Sequence, residues 1–238
     1  MSKELIKTDQ VGKILGDAGF DLNKELLALD TTANGFEIPR IRIEHKDNGR
    51  HRLYIDNGEN YLGEKTQEEQ IPENSFEAVV FAEQHIRALW TDTDNLPSCS
   101  GIDGQPTSSE PVSNLCESCK ESVISQGNCR PKIRLWLLVM RDNQIKPFIF
   151  SLSPTSIKHW NQHKRKLKRS NLPVVAVNTV FKLEDIKKNS YRWAEVIFDI
   201  NGIASMEMLS MAKQARDELN RVMQDISAKD FDDPGDKT

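Results

Sequence analysis

The chain lacks long apolar runs. No stretch of its 238 residues approaches the roughly 20 consecutive apolar residues that a membrane-spanning helix needs. The N-terminal sequence MSKELIKTDQVGKILGDAG has no apolar core segment and no small-residue cleavage site, so it does not resemble a signal peptide. The glycine-rich motifs G-x-G-x-x-G and G-x-x-x-x-G-K-[ST] are absent, and strands do not alternate regularly with helices. These absences predict a soluble, cytoplasmic protein and argue against a doubly wound nucleotide-binding fold.

Cysteine is scarce, and all of it lies in one segment between residues 96 and 140. The four residues are Cys99, Cys116, Cys119 and Cys129. The middle two form a C-x2-C knuckle, in which both thiolates can turn onto one tetrahedral metal ion. The outer two lie in stretches rich in Gly, Ser, Asn and Pro, which we expect to be loops that bend back. Four thiolates would leave no open position for water, so the pattern predicts a structural Zn²⁺ site.

Two alternatives to zinc are open. The cysteines would form two disulfides in an oxidising compartment, but no feature of the sequence indicates secretion. They would otherwise be four unrelated thiols. A zinc deaminase is not indicated, because Leu115 rather than proline precedes the knuckle and the H-x-E partner is missing.

Charge is distributed unevenly along the chain. The formal net charge is -4 and the sequence pI is about 5.8, which does not indicate a general polyanion binder. Between Lys132 and Arg169, however, there are ten Lys or Arg residues and one acid, Asp142. Acids dominate from Asp217 to Thr238. The basic middle segment therefore indicates a local binding surface for an anionic ligand.

The apolar periodicity predicts a mainly β protein with helices, of the α+β class. Strands are expected at 36–45, 52–56, 76–90, 132–140, 145–152, 174–182 and 191–200, and helices at 153–170 and 206–226. Ser153 is the expected N-cap of the first helix, with Pro154 at its first position. The order predicts an OB-type antiparallel barrel with a four-cysteine zinc-binding insert at 96–131 and a C-terminal helix. A generic antiparallel α+β sheet is the alternative.

Several candidate residues fit the binding of single-stranded nucleic acid, which needs cations for phosphates and aromatic faces for bases. By strand alternation, Lys132, Arg134 and Trp136 share one face, as do Lys146 and Phe148 on the next strand. The phosphate candidates are Arg40, Arg42, Arg52, Lys132, Arg134, Lys146, Lys164, Arg165, Lys166, Lys168 and Arg169. The stacking candidates are Tyr54, Trp136, Phe148 and Trp160. The alternatives are core packing for the aromatics and a solvated surface for the cations.

The cysteine region carries a longer pattern of residues: Pro97-x-Cys99, Asp103-Gly104, Pro106, Cys116-x2-Cys119, Gly127, Cys129, Arg134 and Leu138, with His85, Arg87 and Trp90 upstream. In this pattern the chain resembles the zinc-containing single-stranded DNA-binding proteins of tailed bacteriophages and mobile elements. The resemblance covers about residues 71–150, although residues 122–128 lack the tryptophan that the family carries in the corresponding loop. It implies an OB-fold, a zinc ribbon-like insert and non-catalytic, sequence-independent binding of single-stranded DNA in replication or recombination.

Three segments follow from these expectations. Residues 1–35 are expected to form an arm or short helices, and residues 36–227 an OB-like nucleic-acid-binding domain. Residues 228–238 are expected to form an acidic disordered tail that contacts replication or recombination proteins or competes with DNA. Two other functions are open, a zinc-ribbon protein-interaction or transcription-regulating module and a metal-dependent nuclease. The nuclease would need a carboxylate cluster, for which Asp56, Glu59, Glu77 and Glu83 are the candidates.

Overall fold

The computed structural model describes residues 13, 16–19, 38–45, 50–58, 67–90, 97–122, 127–189 and 191–222. Within them, the strands are β1 (Arg40–His45), β2 (His51–Asp56), β3 (Glu69–Gln70), β4 (Ser75–Leu89), β5 (Cys99–Ile102), β6 (Gln105–Pro106), β7 (Arg130–Arg141), β8 (Gln144–Leu152), β9 (Val177–Lys188) and β10 (Tyr191–Ile203). The helices α1 (Pro154–Arg169) and α2 (Met206–Val222) pack against them. The mainly β, α+β class is confirmed.

The strands form one curled sheet, a half-barrel. Their order is β10-β9-β4-β7-β8-β1-β2-β3, and the small β5–β6 hairpin pairs with the end of β4. The neighbours are antiparallel except β1 and β8, which run parallel and so depart from the expected antiparallel barrel. The curl brings β2 against β9, although β4, β7, β8 and β1 separate them in the sheet. His51 Nδ1 lies 2.5 Å from Asp185 Oδ1 at this contact.

Strand β4 connects the parts of the sheet. Residues 75–78 pair with β9, residues 79–88 pair with β7, and residues 86–89 also pair with β5. A register shift between Val80 and Ala82 marks a β-bulge, which bends the strand and increases its twist. The bulge therefore lies between the β9-paired start of the strand and its end, which pairs with the Cys99-bearing strand β5.

Apolar side chains cover both faces of the sheet. The inner face, defined here as the one carrying Leu135, Phe150 and Phe181, packs around Trp160 of α1. The outer face carries Trp136, Ile149 and Phe81 and packs under α2 through Met211 and Leu219. Because β7 and β8 are buried on both faces, their sequences are nearly continuous apolar runs instead of strict alternations.

Helix α1 begins where its sequence predicts, although the Ser153 side chain makes no capping hydrogen bond to the helix backbone. Ser153 is the N-cap and Pro154 occupies the first turn. Trp160 and Leu167 are buried on the side that faces the sheet, and Ile157 is partly buried against the same core. The Val196 backbone N–H donates to Ser156 Oγ over 2.9 Å, so the start of α1 also covers the centre of the β10 edge.

The strands differ from the expected ones by one or two residues at several ends and by more at four places. Strand β1 begins at Arg40 and not at residue 36, and β9 follows a 3₁₀ turn at Val174–Ala176 and continues to Lys188. Strand β10 extends to Ile203. The segment around Cys99, expected to be a loop, is strand β5. The Asp142–Asn143 hairpin turn is confirmed, with φ of 51° and 59° as a type I′ turn requires.

The terminal expectations lie mostly outside the described residues. Of the expected arm at 1–35, the structure describes only residues 13 and 16–19. The expected tail at 228–238 and the end of the predicted helix beyond residue 222 lie outside as well. All the described strands, from 40 to 203, belong to one sheet.

A buried carboxylate connects α1 to β10. Glu195 accepts hydrogen bonds from Lys158 Nζ at 2.8 Å and Trp193 Nε1 at 2.8 Å, and its Oε2 lies 2.6 Å from His159 Nε2. Burial alone would raise the pKa of Glu195. The hydrogen bonds from His159, Lys158 and Trp193 and the Lys158 charge outweigh burial and hold the pKa at about 2, against an ordinary 4.5.

We expect Glu195→Gln to lower the free energy of unfolding by about 1–3 kcal/mol at neutral pH. A depressed carboxylate pKa stabilises the fold fully above the unfolded value of 4.5, and this contribution is lost as the pH falls toward about 2. Urea unfolding at about pH 7 and about pH 3 should therefore show the difference between wild type and variant shrinking with acid.

The matched control is Glu184→Gln, which lies directly opposite Glu195 on β9 but is more exposed and 3.5 Å from Lys182. It should change stability by less than about 0.5 kcal/mol. An equal loss in both variants would show that the Glu195 contacts do not hold α1 on the sheet.

Candidate functional site

The four cysteines line one cavity of about 20 Å³. Cys99 lies in β5 opposite Leu89, and Cys129 lies one residue before β7. The knuckle residues Cys116 and Cys119 approach from the connection between β6 and β7. The structure thus brings together all four cysteines that the sequence marked.

Backbone hydrogen bonds hold the cysteine-bearing segments in place. The Cys116 N–H donates to Gly104 O over 3.0 Å, and the Cys119 N–H donates to Cys116 O over 3.3 Å, which closes the knuckle turn. The Cys129 N–H donates to Glu121 O over 3.0 Å. Arg87 Nη1 donates to Ser122 O over 3.4 Å and so connects the segment to β4.

Two glycines permit the close approach of these segments. A Cβ atom at Gly101 would lie 2.4 Å from Cys116 Sγ and 2.9 Å from Gln105 O. A Cβ atom at Gly127 would lie 2.0 Å from Glu121 O, which is backbone and does not move easily. The cavity is therefore built around positions where no side chain fits.

Burial and the neighbouring sulfurs raise the pKa of two of the thiols, those of Cys129 and Cys116. Burial raises the pKa of Cys129 to about 11; Arg87 opposes this shift, and the charges of Cys116, Cys99 and Cys119 add to it. Burial also raises the pKa of Cys116, and the charge of the nearby Cys99 adds to the increase. Several negative sulfurs in one small cavity are stable together only with a cation among them.

The donor set suits a thiophilic metal ion, although the coordination geometry is not formed in the structure. Among the described residues, no group of three or more His, Cys, Asp or Glu side chains has the arrangement of a metal site. The cavity has room for one water-sized or ion-sized occupant. Thiolate sulfur is the ligand that zinc accepts in closed structural sites. The residues present therefore fit zinc by chemistry and by their shared cavity.

The candidates on β1 and β2 share one face, as the alternation predicted. Register places Arg40, Arg42, Arg52 and Tyr54 on the side of the hairpin opposite the buried Ile41 and Leu53.

Acidic residues balance these cations. Asp56 lies opposite Arg40, Glu44 lies opposite Arg52, and Glu68 forms an ion pair with Arg42. Opposite charges in cross-strand pairs stabilise the hairpin. This face is thus mixed in charge and is a weaker phosphate surface than the sequence indicated.

The expected surface of alternating cations and aromatics on β7 and β8 is not formed. Trp136 lies opposite Ile149 on the outer face, whereas Phe148 lies opposite Leu137 on the inner face, so the two rings are on opposite sides of the sheet. Trp136, Phe148 and Trp160 are each at most 2% exposed. They are core residues, because both faces of the sheet are covered by other elements.

The cations of β7 and β8 are also not free surface groups. Lys132 and Arg134 are buried, and Arg134 Nη1 and Trp136 Nε1 both donate to Gln84 Oε1 over 3.2 Å. Lys146 is partly exposed and forms an ion pair with Asp142 at 3.3 Å.

The C-terminal half of α1 keeps its exposed cations. Lys164 is the exception, because its Nζ lies 2.5 Å from Glu83 Oε1, beside Trp160 Nε1, which donates to Glu83 Oε2 over 2.8 Å. The remaining four are exposed and form no ion pair with a described residue; they are Arg165, Lys166, Lys168 and Arg169. The last turn of a helix favours cations, since its carbonyl ends carry partial negative charge.

The three described carboxylates considered for a nuclease, Asp56, Glu77 and Glu83, are engaged at separate places in the fold. Glu77 accepts hydrogen bonds from Asn178 and Asn201 over 2.6 and 2.7 Å, and Glu83 is engaged by α1. Asp56 lies on β2 and accepts from the Gly58 N–H over 2.9 Å, while Glu59 lies outside the described residues.

Sequence reasoning did not identify the β9–β10 hairpin as a candidate surface. Its tip carries Lys187, Lys188, Tyr191 and Arg192, all of which are exposed. The sequence does contain a signal for such a surface, namely an aromatic residue with cations before and after it around the turn at Asn189.

Comparison with known proteins gives no relative. No family model, no curated protein and no solved structure matches the chain. Within the part of the chain that the structure describes, no helix is long and apolar enough to cross a membrane.

We expect Gly101→Ala to destabilise the protein by about 1–3 kcal/mol, because the added methyl group overlaps Cys116 Sγ and the backbone at Gln105. Chemical denaturation would measure the loss. Gly16→Ala is the control, since a Cβ there meets nothing within 4 Å and should cost no stability. Equal stability of Gly101→Ala and wild type would contradict the packing of β5 against the knuckle.

Proposed function

We propose that the protein binds single-stranded DNA without sequence preference, in replication or recombination of a bacteriophage or mobile element. The observation that supports this most is the group of exposed cations in the last turns of α1, Arg165, Lys166, Lys168 and Arg169, which have no acidic partner among the described residues. In a chain of net charge -4, such a group is a local anion-binding surface. Phosphate contacts of this kind supply most of the affinity in sequence-independent binding.

We propose that the half-barrel is an OB-type barrel with additional strands. An OB-fold is a partly open five-stranded barrel that binds oligonucleotides on one face and in its loops. The curl that joins β2 to β9 through His51 and Asp185 supports this assignment. The parallel pairing of β1 with β8, at Arg40–Ile149 and Ile41–Phe150, distinguishes this sheet from a purely antiparallel barrel.

We propose that residues 96–131 form a zinc-binding insert in which Cys99, Cys116, Cys119 and Cys129 hold one Zn²⁺. The bound ion would act structurally, since its binding free energy becomes folding free energy. Contacts within the protein also hold the insert in place, since β5 pairs with the end of β4 and Arg87 donates a hydrogen bond to Ser122 O. The insert is thereby fixed to the strand that also contributes Glu83 to the α1 anchor.

Fluorescence anisotropy of labelled oligo-dT should show binding that weakens steeply with salt and exceeds binding to a duplex of equal length. The double variant Arg165→Gln/Arg169→Gln should lower the affinity and reduce the slope of log K against log salt by about 0.7 for each phosphate that the variant no longer neutralises. Lys213→Gln is the control, because this exposed cation lies on α2, away from α1.

Absence of binding to both nucleic acids would overturn the proposed function and favour the zinc-ribbon interaction module. Stronger binding to the duplex would overturn its single-strand part. Cleavage of the oligonucleotide with Mg²⁺ would instead favour the nuclease.

Metal analysis should find about one zinc ion per chain, and chelation should lower the melting temperature. In Cys119→Ser, the zinc content should fall and the melting temperature should drop by at least about 4 °C and no longer respond to chelator. Ser118→Ala, an exposed position inside the same knuckle, should keep its zinc and its stability. A wild-type protein without zinc, and with unchanged melting after chelation, would reject the metal site.

A further inference from the structure

The tip of the β9–β10 hairpin combines an exposed aromatic ring with exposed cations. Tyr191 is 74% exposed, more than any other aromatic side chain among the described residues. It lies directly opposite Lys188, while Arg192 lies opposite Lys187. In antiparallel strands, directly opposed residues share a face, so one face carries Tyr191 with Lys188 and the other carries Arg192 with Lys187.

The cations at this tip are not neutralised by the nearby acids. Lys187, Lys188 and Arg192 are exposed and form no ion pair with a described residue. The two acids of the neighbouring β9 segment are engaged elsewhere, Glu184 with Lys182 at 3.5 Å and Asp185 with His51 at 2.5 Å. Both faces of the hairpin end therefore present positive charge.

A second aromatic ring follows on the same face. Trp193 is two residues from Tyr191, about 7 Å along the strand, and is partly exposed. Its Nε1 donates to Glu195 Oε1 over 2.8 Å, and Glu195 is in turn held by Lys158 and His159. The indole position is thus fixed by a buried network and needs no ordering when a ligand arrives.

The Glu195 side chain connects this face to α1 across the edge of β10. Lys158, which contacts Glu195 at 2.8 Å, begins an exposed helical row that continues with Gln162, Arg165 and Arg169. These four positions share one side of the helix, because they recur at intervals of three or four residues. From Lys158 to Arg169 the row extends about 16 Å at 1.5 Å per residue. The hairpin and the helical row thus meet at Glu195, which binds both Trp193 and Lys158.

We propose that the hairpin tip is the base-stacking part of the single-strand site, with Tyr191 as the main stacking ring and Trp193 as the second. Lys187, Lys188 and Arg192 contact phosphates there, and Arg165 and Arg169 at the far end of the α1 row continue the phosphate path. This inference rests on the proposed function. It places the stacking residues outside the set Tyr54, Trp136, Phe148 and Trp160, of which the last three are core residues.

Sheet-borne aromatics that stack two or three successive bases are an established way to bind single strands. A base stacks on any exposed π-face irrespective of sequence, whereas an anionic membrane or an acidic protein would need only the charges. The exposed ring therefore favours a nucleic-acid strand as the ligand of this hairpin.

The test compares Tyr191→Ala with Tyr191→Phe in oligo-dT anisotropy. Loss of the ring should weaken Kd by about 5- to 150-fold, as expected for one stacked base, whereas phenylalanine should retain most of the affinity. The control is Ile203→Ala, since this side chain is 77% exposed at the other end of β10 and its loss should leave Kd unchanged. Melting temperatures of all three variants should equal that of wild type, because each changed side chain is exposed.

The charge part of the proposal has its own variant, Lys187→Gln/Lys188→Gln, which should reduce the salt slope while keeping the melting temperature. If wild type binds oligo-dT but Tyr191→Ala binds equally well, the stacking assignment is wrong and the proposed function stands. If wild type does not bind oligo-dT, the proposed function itself fails. Equal losses for Tyr191→Ala and Ile203→Ala would show a non-specific effect on β10 and would also overturn the assignment.

Discussion

Strand β4 is the constraint on which the rest of the structure depends. It is the only described strand that pairs with β9, β7 and β5, so it connects both halves of the half-barrel to the cysteine segment. The bulge between Val80 and Ala82 lies inside the stretch paired with β7, shortly after the pairing with β9 ends at Ala78, and it bends the backbone there. Past the bulge, Glu83 faces α1 and Arg87 faces the knuckle segment.

The helix α1 is held by acids at two places along its length. Glu195 of β10 receives Lys158 and His159 near its first turns, and Glu83 of β4 receives Trp160 and Lys164 further on. Two positive residues are thereby used within the protein. The cations that follow, up to Arg169, have no such partner among the described residues. The basic residues of α1 are therefore engaged within the protein as far as Lys164, whereas those after it are exposed.

The sequence allows the elements with strong local signals to be predicted. Examples are the Ser153–Pro154 helix start and the Asp142–Asn143 hairpin, since capping and turn chemistry act over a few residues. The convergence of the four cysteines is also predictable, because the knuckle spacing depends on local geometry. The exposure of the aromatics is not. Trp136 and Phe148 resemble one binding face in the sequence, but whether a strand face meets solvent depends on which distant helix covers it.

The contrast between local signals and tertiary contacts also explains the mixed charge of the β1–β2 face and the exposed tip of the β9–β10 hairpin, neither of which the sequence predicts. The sequence shows Arg40 and Arg52 as cations without showing their partners. Only the strand register shows that Asp56 and Glu44 lie opposite them. In the sequence, Tyr191 looks like an ordinary strand residue. It is exposed in the structure because β9 continues to Lys188, six residues beyond the expected end, and Tyr191 lies opposite that end. Pairing register and strand length arise from tertiary contacts that no local pattern encodes.

The hydrogen bond from the Val196 N–H to Ser156 Oγ affects how copies of this protein can associate through their sheet edges. A 13-residue strand at the border of a sheet, with Ile200 and Ile203 exposed, would ordinarily template the addition of a further strand. The start of α1 occupies the middle of that border and interrupts the row of donors and acceptors that a neighbour would need. Where two copies of the protein meet, the start of α1 therefore hinders their sheets from pairing edge to edge at this strand.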